Sequence, residues 1–74
     1  MLSPRQSRAA RALLGWTQAA LADASGVSLS IIEHHERGNH TARPANQEAC
    51  RTALREAGVV FISGDLDGVA MRAD

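Results

Sequence analysis

The first half of the chain places apolar residues at helical spacing in three consecutive segments. In residues 4–14 an apolar stripe lies on one face of the predicted helix. An arginine recurs every third residue on another face, at Arg5, Arg8 and Arg11. Ser3 is placed to cap this helix, and Gln6 stands three residues later, as a capping box requires. The pattern predicts a first helix over residues 4–14 that ends at Gly15.

Two shorter helices are predicted next, separated by a glycine turn. Thr17 is an N-cap ahead of a two-turn helix that ends at Ser25, and Gly26 supplies the left-handed conformation that turns the chain. Ser28 caps a third helix, which extends to Arg37. Its predicted inward residues are Val27, Ile31, Ile32 and His35. Its predicted outward residues are Leu29, Ser30, Glu33, His34 and Arg37.

The second half of the chain begins with one more helix and then changes its period. Pro44 opens a fourth helix, and Gly58 is its expected C-cap. The apolar face of this helix contains Ala49, Cys50, Ala53, Leu54 and Ala57. Residues 59–62 are β-branched or aromatic, a turn-rich stretch follows, and residues 69–72 alternate, which predicts a hairpin over residues 59–72. The predicted fold is mainly α, a bundle of about four helices followed by a short C-terminal β-strand or hairpin.

The length of the chain limits its organisation and its chemistry. The 74 residues suffice for a single domain, residues 1–74, because one compact core needs roughly 50 to 200 residues. The apolar fraction of 45% argues against disorder. No Ser, His and Asp arrangement, paired carboxylate site or glycine-rich phosphate loop is visible, and little room is left for a substrate pocket. We therefore do not expect an enzyme.

Charge is balanced overall but uneven along the chain. Eight arginines face eight carboxylates, which gives a formal net charge of zero. Residues 1–43 hold five arginines against three acidic residues, whereas residues 44–74 hold three against five. An anionic partner should therefore meet the first half of the chain.

The sulfur and histidine content predicts neither a disulfide nor a metal site. Cys50 is the only cysteine, so a reducing cytoplasm is the default location, and this thiol is expected in the core rather than in a redox switch. His34, His35 and His40 do not combine with Cys50 in a known zinc spacing. No apolar run approaches the roughly 18 to 20 residues of a membrane span, and the N-terminus lacks a signal-peptide pattern. We expect no metal, no cofactor and no membrane contact.

Residues 17–38 meet the spacing rules of a helix-turn-helix. Ala22 is a small residue where two helices would cross closely, and Gly26 lies in the turn between them. Val27 and Ile32 are placed to be buried behind the second of these helices. The pattern has a geometric reason, because a DNA major groove roughly 12 Å wide admits one helix when another lies across its back and anchors on phosphate.

In its order and spacing the chain resembles the Xre/Cro family of DNA-binding proteins, the phage-repressor type of helix-turn-helix. The resemblance covers residues 4 to about 62. It is carried by residues 8–18 (RAARALLGWTQ), Leu21-Ala22, Gly26-Val27-Ser28, Ile32 and Glu36-Arg37-Gly38. It implies a sequence-specific transcriptional regulator whose third helix, residues 28–37, enters the major groove of double-stranded DNA.

The resemblance also implies a role for individual positions. The side chains presented to base edges would be Ser28, Leu29, Ser30, Glu33 and His34. Phosphate contacts would come from Thr17, Gln18, Arg37, Arg43 and Arg8, although a solvated helix face explains Arg8 equally well. Arg11 and Glu36 resemble the internal ion pair of the family, which ties the first helix to the end of the third.

The sequence departs from the family pattern in the core and on the predicted recognition surface. His35 stands where a large apolar residue is usual, so a buried His35 must be neutral and hydrogen-bonded. Gln47 also replaces an apolar residue, which predicts a loosely packed fourth helix or contact with a partner. Glu33 is acidic where phosphates are expected, and Leu29 can read only a thymine methyl or another apolar edge.

Three functions remain open at this point. The first is a homodimeric regulator, more readily a repressor than an activator, on a near-palindromic operator. The second is an antitoxin-like or other protein-interaction module with a protein partner, and the third is the same fold with DNA binding lost. A dimer is expected because one helix-turn-helix contacts few base pairs, and because residues 59–62 point apolar side chains to both faces of a strand. The predicted dimer interface contains Val59, Phe61 and Ile62.

Overall fold

Four helices and a β-hairpin build the protein, which is described here from a computed structural model over residues 1–38, 42–62 and 68–73. The helices are α1 (Pro4–Leu14), α2 (Gln18–Ser25), α3 (Leu29–Arg37) and α4 (Pro44–Glu56). The strands are β1 (Val59–Ile62) and β2 (Gly68–Met71). This architecture confirms the predicted fold class. The predicted turn of the hairpin at residues 63–67 and the side chain of His40 lie outside the described residues.

The first three helices begin where their capping residues predict. The Ser3 hydroxyl accepts the Gln6 N–H at 3.0 Å, and the Gln6 side chain accepts the Ser3 N–H at 3.1 Å, which completes the capping box. Thr17 Oγ1 accepts the Ala20 N–H at 3.0 Å, so it satisfies one of the free donors at the start of α2. Gly26, with φ of +75°, adopts the left-handed conformation that ends α2.

The core lies between the four helices and one face of the hairpin. Ala10 of α1, Leu21 of α2 and Leu54 of α4 are completely buried. Ile32 adds the inward side of α3, and Leu2 is buried ahead of α1, so the N-terminal segment belongs to the core. Because these side chains are few and small, the hydrophobic stabilisation is modest and the polar contacts between helices carry more weight.

The inward face of α3 is narrower than the sequence predicts. Ile32, His35 and Glu36 are buried, but Ile31 is 37% exposed, so its assignment to the inward face is wrong. Successive residues of a helix point about 100° apart, and the i, i+3 and i+4 positions that begin at Ile32 already fill the contact with α1 and α2. Ile31 therefore lies at the edge of the buried face.

Gln47 and His35 are buried polar residues with internal partners. Gln47 is 4% exposed, accepts the Leu2 N–H and donates to the Ala42 carbonyl. The prediction of loose packing or partner contact at Gln47 is therefore wrong, because both ends of its amide are satisfied within the chain. His35 is 5% exposed and is hydrogen-bonded through both ring nitrogens, as a buried histidine requires.

The chain leaves α4 through Ala57 and enters the hairpin at Gly58. Ala57, rather than the predicted Gly58, is the C-cap, and its N–H bonds the carbonyls of the last turn. Gly58 takes φ of +110° one residue later, and its carbonyl accepts the Arg72 N–H at 2.7 Å. Gly58 therefore completes the exit from α4, through its N–H to the Arg55 carbonyl at 3.0 Å, and also starts the antiparallel pairing. Glycine adopts this φ without the strain that a side chain would add.

The two strands pair antiparallel, with Val59 opposite Met71 and Phe61 opposite Val69. Residues opposite each other share a face of the sheet, and successive residues alternate between faces. The inner face therefore carries Val59, Phe61, Val69 and Met71. The outer face carries Val60, Ile62, Gly68 and Ala70. Both strands contact α1, and β1 also contacts α4. On the inner face Val59 is buried and Phe61 and Val69 are half-buried, whereas Met71 at its end is 45% exposed, so the helices cover most of this face.

Candidate nucleic-acid interface

The outward side of α3, together with its N-cap Ser28, presents polar and apolar side chains to solvent, and this set is called the exposed row. Ser28, Leu29, Ser30 and His34, four of the five residues assigned to base edges, are exposed. Glu33, the fifth, is half-buried. Ser28 has a second task, because its hydroxyl accepts the Ile31 N–H at 3.3 Å and caps the helix. The outward side of the first two turns of α3 is thus accessible to a ligand with a groove wide enough to accept a helix.

The residues assigned to phosphate contacts differ in exposure and in whether their side chains already have a hydrogen-bond partner. Thr17, Arg37 and Arg43 are exposed, and within the described residues no hydrogen bond engages either of these two guanidinium groups. Gln18 is half-buried, and its amide donates to Glu36 Oε1 at 3.2 Å. One amide hydrogen of Gln18 and its backbone N–H at the start of α2 remain available to an anion.

Arg8 has an internal partner. Its side chain is exposed, and Nη1 donates a hydrogen bond to the backbone carbonyl of Glu36. That carbonyl belongs to the last turn of α3, where helical carbonyls lack partners and a cation is favourable. Arg8 therefore joins α1 to the end of α3.

A buried carboxylate links three helices behind the exposed row. Glu36 of α3 is 3% exposed and faces Arg11 of α1 side-on: Arg11 Nε lies 2.9 Å from Oε2, and Nη2 lies 2.6 Å from Oε1. Ser7 donates to Oε2 at 2.5 Å, and Gln18 of α2 donates to Oε1 at 3.2 Å. Arg11 Nη1 also donates to the Trp16 carbonyl at 3.0 Å, in the turn between α1 and α2.

The protonation states of this cluster follow from its contacts. Burial alone would raise the pKa of Glu36, but hydrogen bonds from Arg11, Ser7 and Gln18, with the charge of Arg11, outweigh burial and lower it. The hydrogen bond to Glu36 raises the pKa of Arg11, against the opposing effect of burial. Both partners are therefore charged around neutral pH, and the planar fork of Arg11 sets the orientation of α3 relative to α1.

The resemblance to the Xre/Cro family paired Arg11 with Glu36, and the structure places the two side chains in contact. The contacts of Ser7 and Gln18 with Glu36 were not predicted from the sequence. Ser7 stands four residues before Arg11, so both lie on the same face of α1, and this spacing was the available signal. Nothing in the sequence indicated that the Gln18 amide turns toward Glu36, because that contact depends on how α2 packs.

The predicted dimer interface is only partly on the surface. Val59 is 3% exposed, so its side chain offers almost no surface to a second copy. Phe61 is half-buried against the core, with the Arg51 guanidinium 4.8 Å from its ring centroid. Ile62 is 49% exposed, and Val60, which was not singled out, is 44% exposed beside it. The open apolar surface is therefore the outer face of the hairpin.

Other reactive groups lie apart from this region. Cys50 is a free, buried thiol, and burial raises its pKa. Within the described ranges 1–38, 42–62 and 68–73, no group of three or more His, Cys, Asp or Glu side chains could hold a metal ion. Over the same ranges, no helix is long and apolar enough to cross a lipid bilayer.

The way α2 lies behind α3, joined by the turn at Gly26, defines the helix-turn-helix class of DNA-binding domain. The helix-turn-helix family profile matches residues 8–50, which is more than half of the chain. The chain therefore belongs to the helix-turn-helix family, in its Xre/Cro type, and is a DNA-binding transcription regulator. Members of this family are not generally enzymes. No curated protein is significantly similar to the chain.

Proposed function

We propose that the protein is a sequence-specific repressor that binds a near-palindromic operator as a homodimer in the cytoplasm. Residues 28–37 lie in the major groove, where Ser28, Leu29, Ser30 and His34 meet base edges. The observation that carries this proposal is the exposed row on α3 in front of the buried Arg11–Glu36 pair. A recognition helix must be both accessible and held at a fixed angle, and the two features supply these conditions together.

Phosphate contacts on both sides of the recognition helix position it in the groove. Thr17 and the N-terminus of α2 hold one strand, with help from Gln18. Arg37 and Arg43 hold the backbone on the other side, and both are exposed and free to do so within the described residues. These contacts add affinity on any sequence, whereas the side chains of α3 add sequence preference.

The dimer forms through the outer face of the hairpin. Val60 and Ile62 leave apolar surface open to water, and a second copy covers it with the same two side chains across a two-fold axis. Two recognition helices then read half-sites about 34 to 36 Å apart, one helical turn of DNA. Binding to such a site represses by excluding polymerase.

The test of DNA binding uses fluorescence anisotropy with a random-sequence duplex over a range of salt concentrations. The parent should bind with a steep salt dependence, and Arg37→Ala should reduce the slope by about one counterion. Arg55→Ala is the matched control, because Arg55 lies on α4 and pairs with the exposed Glu48 at 3.5 Å. Selection of bound genomic fragments then gives the operator. No binding at low salt rejects the proposal.

A protein-interaction module is the second candidate, and one surface favours it. A shallow groove between α2 and α4 is lined by small side chains and two carboxylates: Ala24, Ser25, Ala45, Glu48, Ala49, Thr52, Ala53 and Glu56. Together with a net charge of zero, such a surface suits a basic protein segment better than nucleic acid. Failure to bind any duplex at low salt, with the fold intact, would favour this function.

A further inference from the structure

His35 and Gln47, which stand where apolar residues are expected, belong to one closed ring of hydrogen bonds. The Leu2 N–H donates to Gln47 Oε1 at 3.2 Å, and Gln47 Nε2 donates to the Ala42 carbonyl at 2.7 Å. The Ala42 N–H lies 3.3 Å from His35 Nδ1, and His35 Nε2 lies 3.0 Å from the Leu2 carbonyl. Each of the four members therefore contacts two others, and the backbones of Leu2 and Ala42 use both of their polar groups.

The partners fix the direction of every bond in the ring. A carbonyl oxygen can only accept, so His35 Nε2 carries a proton and donates to Leu2. The Ala42 N–H can only donate, so His35 Nδ1 is unprotonated and accepts. The ring thus holds a neutral imidazole as a single tautomer, and the same reasoning fixes the orientation of the Gln47 amide.

The two polar side chains together satisfy four backbone groups that are withdrawn from bulk water to some degree. Leu2, His35 and Gln47 are each at most 5% exposed, and Ala42 is half-buried. Loss of either side chain leaves two backbone groups of the ring without partners, and an unpaired buried polar group is unfavourable. The need to pair these backbone groups explains why one position on α3 and one on α4 are both polar.

The ring ends next to a residue assigned to DNA contact. Ala42 immediately precedes Arg43, the exposed N-cap residue of α4. Arg43 makes no side-chain capping bond, so its position depends on the backbone that leads into it. The ring holds that backbone at both polar groups of Ala42, against the last turn of α3 through His35 and the first turn of α4 through Gln47.

We propose that His35 and Gln47 are positioning residues for DNA binding: they hold Ala42 so that Arg43 reaches phosphate beside the recognition helix. This inference rests on the proposed function, because it gives the ring a role in that same interface. Neither side chain touches DNA. The ring restricts the backbone conformations of Arg43 before DNA binds. Less conformational entropy is then lost when Arg43 contacts phosphate.

Nuclear magnetic resonance tests the ring without DNA. The imidazole nitrogen shifts of His35 should show a protonated Nε2 and a bare Nδ1, and the Ala42 and Leu2 amide hydrogens should exchange slowly. His35→Leu should accelerate exchange at Ala42 most, and Gln47→Met, which keeps the length of the side chain, should accelerate exchange at Leu2 most. Unchanged exchange in both variants, or the opposite tautomer, overturns the ring.

A thermodynamic cycle tests its role in DNA binding. In the parent, Arg43→Ala should weaken binding to a random-sequence duplex about tenfold, the value of one charged hydrogen bond. In the His35→Leu/Gln47→Met background the same substitution should cost about threefold or less, because Arg43 is no longer held in place. Arg37→Ala is the matched control, and its cost should be equal in both backgrounds. Gln47→Met alone replaces the double variant if that protein does not fold.

The outcomes separate the ring from the proposed function. An equal cost of Arg43→Ala in both backgrounds overturns the positioning role, even if the double variant is less stable. A parent that does not bind DNA overturns the proposed function and the positioning role together, while the exchange and tautomer measurements still decide whether the ring exists. A reduced cost for both Arg43→Ala and Arg37→Ala shows general loosening and also overturns the inference.

Discussion

Arg11 and Glu36 meet side-on, with two guanidinium nitrogens on the two carboxylate oxygens at 2.9 and 2.6 Å. The third nitrogen of Arg11 is occupied by the Trp16 carbonyl, so the plane of the guanidinium is fixed from both sides. Because a planar fork accepts a carboxylate in few orientations, this pair sets the angle of α3 on α1. Twenty-five residues separate the partners, so the contact constrains the tertiary structure and not one helix.

The first prediction concerns the stability that depends on this pair. Arg11→Ala should lower the free energy of unfolding by roughly 3 to 5 kcal/mol, because it leaves the Glu36 carboxylate buried without its cation. Arg11→Lys should recover part of the lost stability, because it restores the positive charge without the bidentate hydrogen bonds. Urea denaturation followed by circular dichroism measures both. Arg55→Ala, in an exposed pair, should change stability by less than about 1 kcal/mol. Equal effects at Arg11 and Arg55 would contradict the prediction.

The second prediction follows from the lowered pKa of Glu36. The ionised carboxylate stabilises the folded state fully above its ordinary pKa of 4.5, and this contribution is lost as the pH falls through the lower folded value. The stability difference between the parent and Glu36→Gln should therefore be constant from pH 7 to pH 5. It should shrink progressively below about pH 4.5. Urea denaturation at a series of pH values measures the difference, and a gap that widens in acid would be inconsistent with it.

The third prediction separates reading of bases from holding of phosphates. Ser30→Ala and His34→Ala should each change the preferred sequence, because a base contact provides roughly 1 to 3 kcal/mol of discrimination. Arg37→Ala should weaken binding equally on all sequences, because Arg37 is exposed and its guanidinium has no hydrogen-bond partner among the described residues. Selection from a random duplex library measures both effects. Ser28→Ala is a less clean test, because it also removes the cap of α3 at a cost of about 1 kcal/mol. An unchanged selected site would mean that α3 is docked differently.

The fourth prediction concerns the outer face of the hairpin. Val60→Asp/Ile62→Asp should give monomers that keep their helical content and lose most operator affinity, because each half-site is then bound alone. Sedimentation equilibrium and circular dichroism measure the two properties. Phe61→Asp is the contrasting variant, since Phe61 packs against the core and its replacement should reduce helical content as well. A parent that sediments as a monomer at tens of micromolar, free and with operator, would rule out this dimer.

The fifth prediction is that the Cys50 thiol is inert in the folded protein. Its side chain is buried, and burial raises its pKa, so little thiolate is present and reagents cannot reach it. A disulfide reagent at pH 8 should therefore react slowly with the native protein and rapidly in concentrated urea. Equal rates in the two conditions would show that Cys50 is accessible, and a redox role would again require consideration.

Local sequence signals located the helices well, because the residues that cap a helix are close to its end in the sequence. Ser3, Thr17 and Ser28 cap the helices that they were expected to cap, since a capping bond spans only three residues. The exit from α4 was missed by one residue. Ala57 is the C-cap without a left-handed conformation, and Gly58 bonds back to Arg55 and also accepts the first hydrogen bond of the hairpin. That hydrogen bond comes from Arg72, fourteen residues away.

The order and spacing of residues by themselves determined the helix-turn-helix, the hairpin and the exposed row on α3, because these depend on period, caps and turns within short distances. Tertiary packing decided what the buried polar residues do. From the sequence, Gln47 and His35 were only departures from the apolar pattern of the family. The structure shows that the backbones of Leu2 and Ala42 are their hydrogen-bond partners. Packing also decided which face of β1 stays open, because the residues of a strand alternate and only the helices beneath select the covered side. Such choices are made by contacts between distant segments, which no local pattern encodes.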